Sequence, residues 1–393
     1  MNVSLFISRK IKFKSRLAIT SIAVSFFVMI ISVAISSGFR SAVREGISSV
    51  SGDIMITPSD MNYLGESSPL ERYPSYMPYL DSVKGISSIR PVIYRAGIVK
   101  SADLIQGVLF KGIEKDSSDT LSNSQDMTVS IPSSLARVLG LETGDELQAY
   151  FVGDKVKVRK FKVAEIYESL LEADDKMVVY AGLSTLQRVN GWSENQVSAF
   201  EVMTQKERIS PEALKELASE VGTITLLYSG ETDRSVVCSS SVSNFPQLFD
   251  WLDLIDFNVY FILLLMTAVA GFNMISGLLI MLFENIPVIG TLKAIGMQDR
   301  HISAVFLSSA SVLIFKGMLT GNLLAFAFCI IQGTTHLIPL DPQNYFVSYI
   351  PVLLEPVKIL AADASAYLVI MLLLLLPCMF ISRVDPARTM RMK

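Results

Sequence analysis

Four long stretches of this chain are almost free of charge, and this pattern limits what the chain can fold into. The stretches are Leu17–Phe39, Phe257–Phe283, Ile302–Ile338 and Ala364–Ser382. The third carries Lys316 and His336, and the other three contain no Asp, Glu, Lys, Arg or His. A membrane-spanning helix needs about 20 mainly apolar residues. The sequence therefore predicts an α-helical integral membrane protein with four transmembrane helices, at residues 17–39, 256–283, 302–333 and 363–382.

The stretch between the first two predicted spans, residues 40–255, has the composition of a soluble domain and the length to bury its own core. Its pattern is mixed and predicts a large α+β domain inserted between spans one and two. Alternating and β-branched runs predict strands at Asp53–Thr57, Leu104–Gly112, Lys155–Val163, Lys176–Tyr180, Ala199–Met203 and Thr223–Tyr228. Helices are predicted at Ser133–Leu139, ending at Gly140, and at Pro211–Val221, with Ser210 as N-cap and Gly222 as the stop. Phe245–Asp256 is expected to run on into span two.

The inserted domain offers little catalytic chemistry. Both histidines of the chain, His301 and His336, lie outside it, so it cannot form a Ser-His-Asp or Cys-His site. Cys238 is its single cysteine, too few for the usual zinc sites. The chain also lacks the G-x-x-x-x-G-K-[ST] phosphate-binding loop. We therefore expect a non-catalytic chain that binds no cofactor or metal itself.

One acidic cluster in the domain is a candidate for a hard cation. It consists of Glu172, Asp174 and Asp175, and carboxylate oxygens are the ligands that calcium and magnesium prefer. A solvated surface loop is the other interpretation. The net charge of −3 gives no indication of nucleic-acid binding.

The basic residues indicate the orientation. Residues 1–16 contain five Lys or Arg and no acid, and the tail 383–393 contains four against Asp385. Because cytoplasmic segments of membrane proteins are enriched in Lys and Arg, both termini are predicted to be cytoplasmic. Residues 40–255 and the loop 334–362 are then extracytoplasmic, and residues 284–301 are cytoplasmic. Residues 1–16 are expected to form an interfacial helix. A cleaved signal peptide is the alternative, but its apolar region is shorter than span one.

The segment between spans two and three predicts a short helix. Pro287 suits the first helical position and Gly296 suits the C-terminal stop. Val288, Leu292 and Ile295 then share one face. A helix this short is unstable alone in water and needs a surface to pack on. It is interpreted as a docking helix for a cytoplasmic partner, or else as a turn lying on the membrane.

The same segment, Ile289-Gly-Thr-Leu-Lys-Ala-Ile-Gly296, resembles the coupling segment of FtsX-like ABC transporter permeases. That family includes the lipoprotein-releasing LolC and LolE permeases, which the chain resembles most, and the MacB-type transporters. Further resemblances follow in the family's order at Leu5–Arg9, Ser36–Phe39, Gly317 with Gly321, Tyr345–Pro351 and Ser382–Arg391. The chain departs from the family's pattern at Asn285, where an arginine is usual, at Pro287, and at the short connection around Gly153–Lys160.

The resemblance implies a fold, partners and a location. It implies a MacB-like periplasmic domain and a place in the inner membrane. It implies a second permease, the same or related, and a cytoplasmic ATPase dimer that holds ATP and Mg²⁺. ATP-driven movement would pass through the spans to the outer domain, which is called mechanotransmission. The implied substrate is a lipoprotein extracted from among the membrane lipids, with a periplasmic lipoprotein carrier as a further candidate partner.

The candidate site residues form three groups. The residues expected to couple to the ATPase are Glu284, Val288, Ile289, Gly290, Leu292, Lys293, Ile295 and Gly296. The candidates for a substrate cavity are Ile35, Phe39, Met266 and Lys316, with lipid contact or snorkelling as the alternative. Gly317 and Gly321 permit close helix packing, within the chain or between permeases.

Other functions remain open at this stage. Within the family, the alternatives are a MacB-type exporter of amphiphiles or peptides, or a permease without a substrate. Outside it, they are a membrane scaffold or signalling protein without an ATPase, and a membrane-anchored periplasmic enzyme. The short inner helix distinguishes these groups, because a scaffold does not need it.

Overall fold

The computed structural model describes residues 16–61, 69–101, 104–114, 127–153, 156–168, 177–205, 210–231, 233–341, 345 and 347–379. The chain forms two compact units. The first comprises the described parts of Met1–Ser41, Trp251–Pro339 and Tyr349–Lys393, and the second those of Ala42–Asp250 and Leu340–Ser348.

The helices are α1 Arg16–Ser51, α2 Met77–Leu80, α3 Ser133–Leu139, α4 Leu183–Asn190, α5 Pro211–Tyr228, α6 Ser241–Asn244, α7 Pro246–Glu284, α8 Ile286–Ala294, α9 Asp299–Thr335, α10 Pro356–Leu373 and α11 Leu375–Cys378. The strands are β1 Ile54–Pro58, β2 Leu70–Glu71, β3 Ile86–Ser101, β4 Leu104–Ile113, β5 Thr128–Pro132, β6 Glu146–Phe151, β7 Lys157–Tyr167, β8 Val178–Gly182, β9 Gln196–Val197, β10 Ala199–Thr204 and β11 Val236–Ser240.

Among the described residues, four helices are long and apolar enough to cross a membrane: Ala18–Ser51, Pro246–Glu284, Asp299–Thr335 and Pro356–Cys378. They extend beyond the charge-free stretches of the sequence. Helix α1 continues past Phe39 to Ser51. In this more polar part of the helix, Val43 and Ile47 lie on one face and are buried, which stabilises the extra turns. Helix α10 begins at Pro356, because proline is well tolerated at the first position of a helix. Asp363 therefore lies inside this helix.

The apolar helices pack through small residues. A Cβ atom added at Gly317 of α9 would lie 2.6 Å from Cγ2 of Ile22, and one at Gly321 would lie 2.5 Å from the carbonyl oxygen of Ala23. Both neighbours belong to α1. In lipid, helices gain little from hydrophobic association, so close packing of this kind holds them together.

The second unit is built on one continuous sheet. Its strand order is β11-β1-β10-β3-β4-β8-β5-β7-β6, and β3 also pairs with β6. Strands β3, β4, β8, β5, β7 and β6 therefore form a closed ring. The 16-residue strand β3 belongs to both parts, because Ile86–Val92 pairs with β10 and Ile93–Ser101 pairs with β4.

Each part of this sheet has its own apolar core. Inside the ring, the aromatic rings of Phe110, Phe151 and Phe161 contact one another at centroid distances of 4.9–6.3 Å. Against the other part, α5 buries Leu214 and Val221 beside Ile54 and Phe200. This α+β architecture agrees with the one predicted from the sequence.

Most predicted local elements are present. The structure has strands at Ile54–Pro58, Leu104–Ile113, Lys157–Tyr167, Val178–Gly182 and Ala199–Thr204. The Ser210 hydroxyl caps α5 by accepting from the backbone N–H of Ala213 at 3.2 Å, and α3 ends at Gly140 with φ 62°. Helix α7 begins at Pro246, as expected for a run that continues into span two.

The strand predicted at Thr223–Tyr228 is wrong, and so is the stop at Gly222. Helix α5 continues through Gly222 to Tyr228. Thr225 is buried on the same face as Val221, and its hydroxyl donates to the Gly222 carbonyl at 2.9 Å. Tertiary burial therefore outweighs the β-propensity of this run.

Replacing Gly321 with alanine is expected to destabilise the helical unit by about 1–3 kcal/mol, the usual cost of overpacking. The added methyl would meet the α1 backbone at 2.5 Å, which cannot move away alone. The melting temperature of the detergent-solubilised chain measures the effect. Gly333→Ala in the same helix is the control, because its added Cβ meets nothing closer than 3.5 Å. Equal melting temperatures for both variants would show that the contact does not stabilise the chain.

Candidate functional site

The helical unit contains a cavity of about 750 Å³, within the size range of ligand pockets. One face each of α1, α7 and α10 lines it. The lining residues are Met29, Val33, Ser36, Ser37, Asp256, Val259, Tyr260, Leu263, Leu264, Thr267, Ala268, Lys358, Ala361, Ala362, Ser365, Ala366, Val369 and Leu373. Their spacing on each helix follows the three- and four-residue steps of a single helical face.

One end of the cavity is polar. Asp256 accepts hydrogen bonds from the Ser36 hydroxyl and the Arg40 guanidinium, and Arg40 also pairs with Asp253 at 3.0 Å. Lys358 lies 3.3 Å from the hydroxyl of Ser37, and it pairs with Glu355, the residue before α10, at 3.3 Å. This end of the cavity therefore contains positive and negative side chains, and each forms an ion pair.

The rest of the cavity is mainly apolar. On α7 the lining extends from Asp256 to Ala268, a length of about 18 Å along the helix. On α10 it extends from Lys358 to Leu373, about 22 Å. The shape and polarity therefore suit an elongated molecule with a polar head and a hydrocarbon tail.

Four consecutive residues of α1 organise the polar end. Ser36 bonds to Asp256 and Ser37 to Lys358. A Cβ at Gly38 would lie 2.3 Å from the carbonyl oxygen of Pro351, so only glycine lets this backbone approach α1. Phe39 contacts the Trp251 ring edge-to-face at 5.6 Å. This run is the Ser36–Phe39 segment that resembles the end of the family's first span.

The four residues proposed from sequence for the cavity lie elsewhere. Phe39 packs on Trp251, and Met266 packs against the apolar core of the bundle. Ile35 lies on α1 between the cavity-lining positions, and Lys316 is exposed on α9, which contributes no residue to the described lining. The apolar pattern identified the helices but not the rotation of each helix about its axis.

Helix α8 packs onto the bundle by one side only. Ile289 is 1% exposed and belongs to the core of the apolar helices, Gly290 is buried beside it, and Leu292 is half-buried against the same core. Val288 and Ile295 are 43% and 78% exposed. The face predicted from spacing is therefore divided, with Leu292 turned to the bundle and the other two to solvent.

The flanks of α8 are fixed by polar and backbone contacts. Lys293 pairs with Asp299 at the start of α9, at 3.0 Å. Gly296 adopts a left-handed φ of 93° where the chain turns towards α9. Glu284 is the exposed last residue of α7.

Sequence reasoning missed a buried ion pair in the second unit. Lys111 of β4 and Glu201 of β10 lie 2.6 Å apart, with their side chains 3% and 5% exposed. The Lys111 ammonium also donates to the carbonyl oxygens of Ser49 and Val50, at 2.8 and 3.0 Å, in the last turn of α1. The single Tyr94 hydroxyl proton has two acceptors within reach, the Glu201 carboxylate and, at 2.9 Å, the Val50 carbonyl oxygen.

This arrangement places a cation at the negative end of a helix, where the unsatisfied carbonyls and the helix dipole favour it. Burial lowers the pKa of Lys111 and raises the pKa of Glu201, while the opposite charge of the partner acts against both shifts. The signal was present in the sequence, since each residue is the single charge inside a predicted strand, Leu104–Gly112 or Ala199–Met203.

Among the described residues, no group of three or more His, Cys, Asp or Glu side chains is placed to hold a metal ion. The acidic cluster Glu172, Asp174 and Asp175 lies outside the described residues, as do the tail 383–393 and almost all of the N-terminal segment 1–16.

Two family models match successive parts of the chain. Residues 15–221 match the model of the MacB-like periplasmic core domain, and residues 260–386 match that of the FtsX-like permease C-terminal domain. The chain belongs to the FtsX-like ABC transporter permeases.

Curated relatives of this permease span nearly the whole chain. It is 20% identical over 406 residues to the lipoprotein-releasing system transmembrane protein LolC of Xylella fastidiosa, covering 97% of the permease and 94% of the relative. It is 21% identical over 374 residues to LolC of Neisseria meningitidis serogroup B, covering 86% and 84%.

Two of the solved structures similar to the permease are isolated domains of other transporters. The periplasmic region of MacB from Actinobacillus actinomycetemcomitans is 16% identical, with a TM-score of 0.32, and covers 50% of the permease and 92% of that chain. The extracellular domain of YknZ from Gram-positive bacteria is 14% identical, with a TM-score of 0.30, and covers 48% and 98%.

Replacing Lys111 with methionine is expected to destabilise the second unit by about 3–5 kcal/mol, because Glu201 would be left buried without its countercharge. Hydrogen exchange of the β3 and β10 amides in the full-length permease measures this loss of protection. The double variant Lys111→Met with Glu201→Leu should recover most of the protection, since an apolar pair can replace a buried ion pair. Full protection in the single variant would contradict the argument.

Proposed function

We propose that this permease extracts lipid-anchored proteins from the inner membrane, driven by ATP hydrolysis in a separate subunit. The observation that carries the proposal is the amphipathic cavity between α1, α7 and α10. Its mainly apolar length can take hydrocarbon chains, at about 0.8 kcal/mol per buried CH₂ group. Its polar end, with Asp256 and Lys358, can receive the head of the lipid-modified protein.

The permease family implies a partner ATPase, and the sequence itself has no phosphate-binding loop. We assign ATP and Mg²⁺ to that partner, and to this chain the transmission of movement, with no catalytic residue and no bound cofactor or metal. Both termini and α8 would be cytoplasmic, and the second unit periplasmic. A second permease, the same or related, would complete the membrane part.

Two further observations bear on the substrate. The curated relatives named LolC align over nearly the whole length of the permease, which supports lipoprotein release. The connection between β6 and β7 spans only residues 152–156, so it is too short to form a long hairpin. A periplasmic lipoprotein carrier would therefore have to bind at another surface. The alternative is a MacB-type exporter of amphiphiles or peptides, which the same cavity would also suit. Membership in the permease family speaks against an enzyme or a scaffold without an ATPase.

Filling the cavity tests the function. Ala361 and Ala364 are both exposed alanines of α10, but only Ala361 lines the cavity. Ala361→Trp is expected to reduce lipoprotein release at least about tenfold, because the indole ring would displace part of the bound hydrocarbon chain. A tenfold weaker binding corresponds to about 1.4 kcal/mol, which is less than the contribution of two buried CH₂ groups. Ala364→Trp should leave release unchanged. The readout is the fraction of outer-membrane lipoproteins retained in the inner membrane.

The outcomes separate the candidate functions. Normal lipoprotein release in both variants would rule out the cavity as the route. If lipoproteins are sorted normally while Ala361→Trp lowers tolerance to an amphiphilic drug or peptide, the exporter is the correct function.

The exposed apolar residues Val288 of α8 and Ile295, which directly follows α8, are proposed as the surface that contacts the ATPase. Ile295→Asp is expected to lower the ATPase co-purified per permease by at least about tenfold, since an apolar contact is lost and a charge is desolvated. Thr291→Ala is the control, because it is an exposed change on the same helix that introduces no charge and removes only a hydroxyl and one methyl group. Leu292 is unsuited to this test, because it packs partly on the permease itself. Full co-purification with Ile295→Asp would mean that α8 is not the docking surface.

A further inference from the structure

A carboxyl group and an amide meet inside the apolar helical unit. Asp363 is the eighth residue of α10, about 10 Å from its start, and Asn322 lies about 20 Å before the end of α9. The Nδ2 atom of Asn322 donates to Oδ2 of Asp363 at 2.6 Å. Asp363 is only 6% exposed. Ionisable groups at such positions are costly and rare, so each requires an explanation.

Each of the two side chains has one oxygen atom left over. Oδ1 of Asp363 and Oδ1 of Asn322 are buried, and neither has a hydrogen-bond partner among the described residues. The apolar side chains of Ile30, Val33 and Ile359 pack in the cluster that also holds Ala362, the neighbour of Asp363. Two buried acceptors are thus left in an apolar setting without a donor, which is an unfavourable state for both groups.

The charged side chains of the surrounding helices do not resolve this shortage. On α10, Lys358 pairs with Glu355 and contacts Ser37. On α1 and α7, Arg40 pairs with Asp253 and Asp256. On α9, Lys316 is exposed. Within the described chain, none of these groups is bonded to Asp363, so an ionised Asp363 would have no countercharge.

We infer that Asp363 and Asn322 form a proton-holding site, in which Asp363 is a neutral carboxylic acid. Its O–H then donates to the Asn322 amide oxygen, while the amide N–H donates to the other carboxyl oxygen. One bound proton supplies the missing donor and satisfies both leftover oxygens at once. The product is a pair of hydrogen bonds that joins α9 to α10 without charge.

The pair also fixes one wall of the cavity. Ala362 and Ala366 line the cavity and lie one residue before and three residues after Asp363. The neutral Asp363–Asn322 pair holds this part of α10 against α9 and places no net charge beside the apolar wall of the cavity. The neutral pair is expected in this permease whatever molecule it transports, so its tests do not depend on the proposed function.

Infrared spectroscopy of the full-length permease in lipid nanodiscs tests the site at neutral pH. The carbonyl band of a protonated carboxylic acid is expected in the unmodified protein, to shift in D₂O, and to be absent in Asp363→Asn. The melting temperature of Asp363→Asn should stay close to that of the unmodified permease, because an amide pair is also neutral. The exchanged pair, Asn322→Asp with Asp363→Asn, should regain the band.

A second measurement separates a proton from a metal cation. The melting temperature of the unmodified permease should be the same in sodium, potassium and choline buffers. A sodium- or potassium-dependent rise that Asp363→Asn abolishes would overturn the inference in favour of a cation site. An infrared spectrum that Asp363→Asn leaves unchanged in the carbonyl region would overturn it as well.

Discussion

The close approach of α9 to α1 is the contact on which the helical unit depends. Lipid tails are as apolar as the side chains they would replace, so the helices gain stability from fit and not from leaving water. Gly317 and Gly321 provide that fit, because they let α9 reach the backbone and side chains of α1. With α1 held in this way, its residues Met29, Val33 and Ser36 can form one wall of the cavity.

Several charges of the protein are matched by specific partners, and the matches determine what each region can do. Asp256 with Arg40 and Lys358 with Glu355 allow a polar end in an otherwise apolar cavity. In the second unit, Lys111 and Glu201 share one buried site. Paired charges of this kind add little net stability but are costly to break, so they act mainly to fix a single arrangement.

The sequence predicts the helices, the inserted domain and the family, but not the site. Apolar runs and the N-cap at Ser210 are local signals, so neighbouring residues alone are enough to predict them. The cavity depends on how far each helix is rotated about its axis, and a shift from Ile35 to Ser36 moves a side chain by 100°. The Lys111–Glu201 pair joins residues 90 positions apart, and Asp363 stood at the edge of the predicted fourth span. Such partners become visible only when the strands and helices are assembled.

The pairing of β1 with β11 has a consequence for how this protein is made. Ile54 and Ser240 are direct neighbours across the two strands, although they are separated by nearly the whole second unit. The sheet therefore cannot be completed until almost all of the domain has left the ribosome, and α7 follows β11 within a few residues. Since distant pairings form slowly, the domain is still unfinished when the next apolar helix is synthesised. During that interval the edge of β1 that later pairs with β11 is unpaired. A chaperone that binds exposed strand edges could bind the nascent chain there.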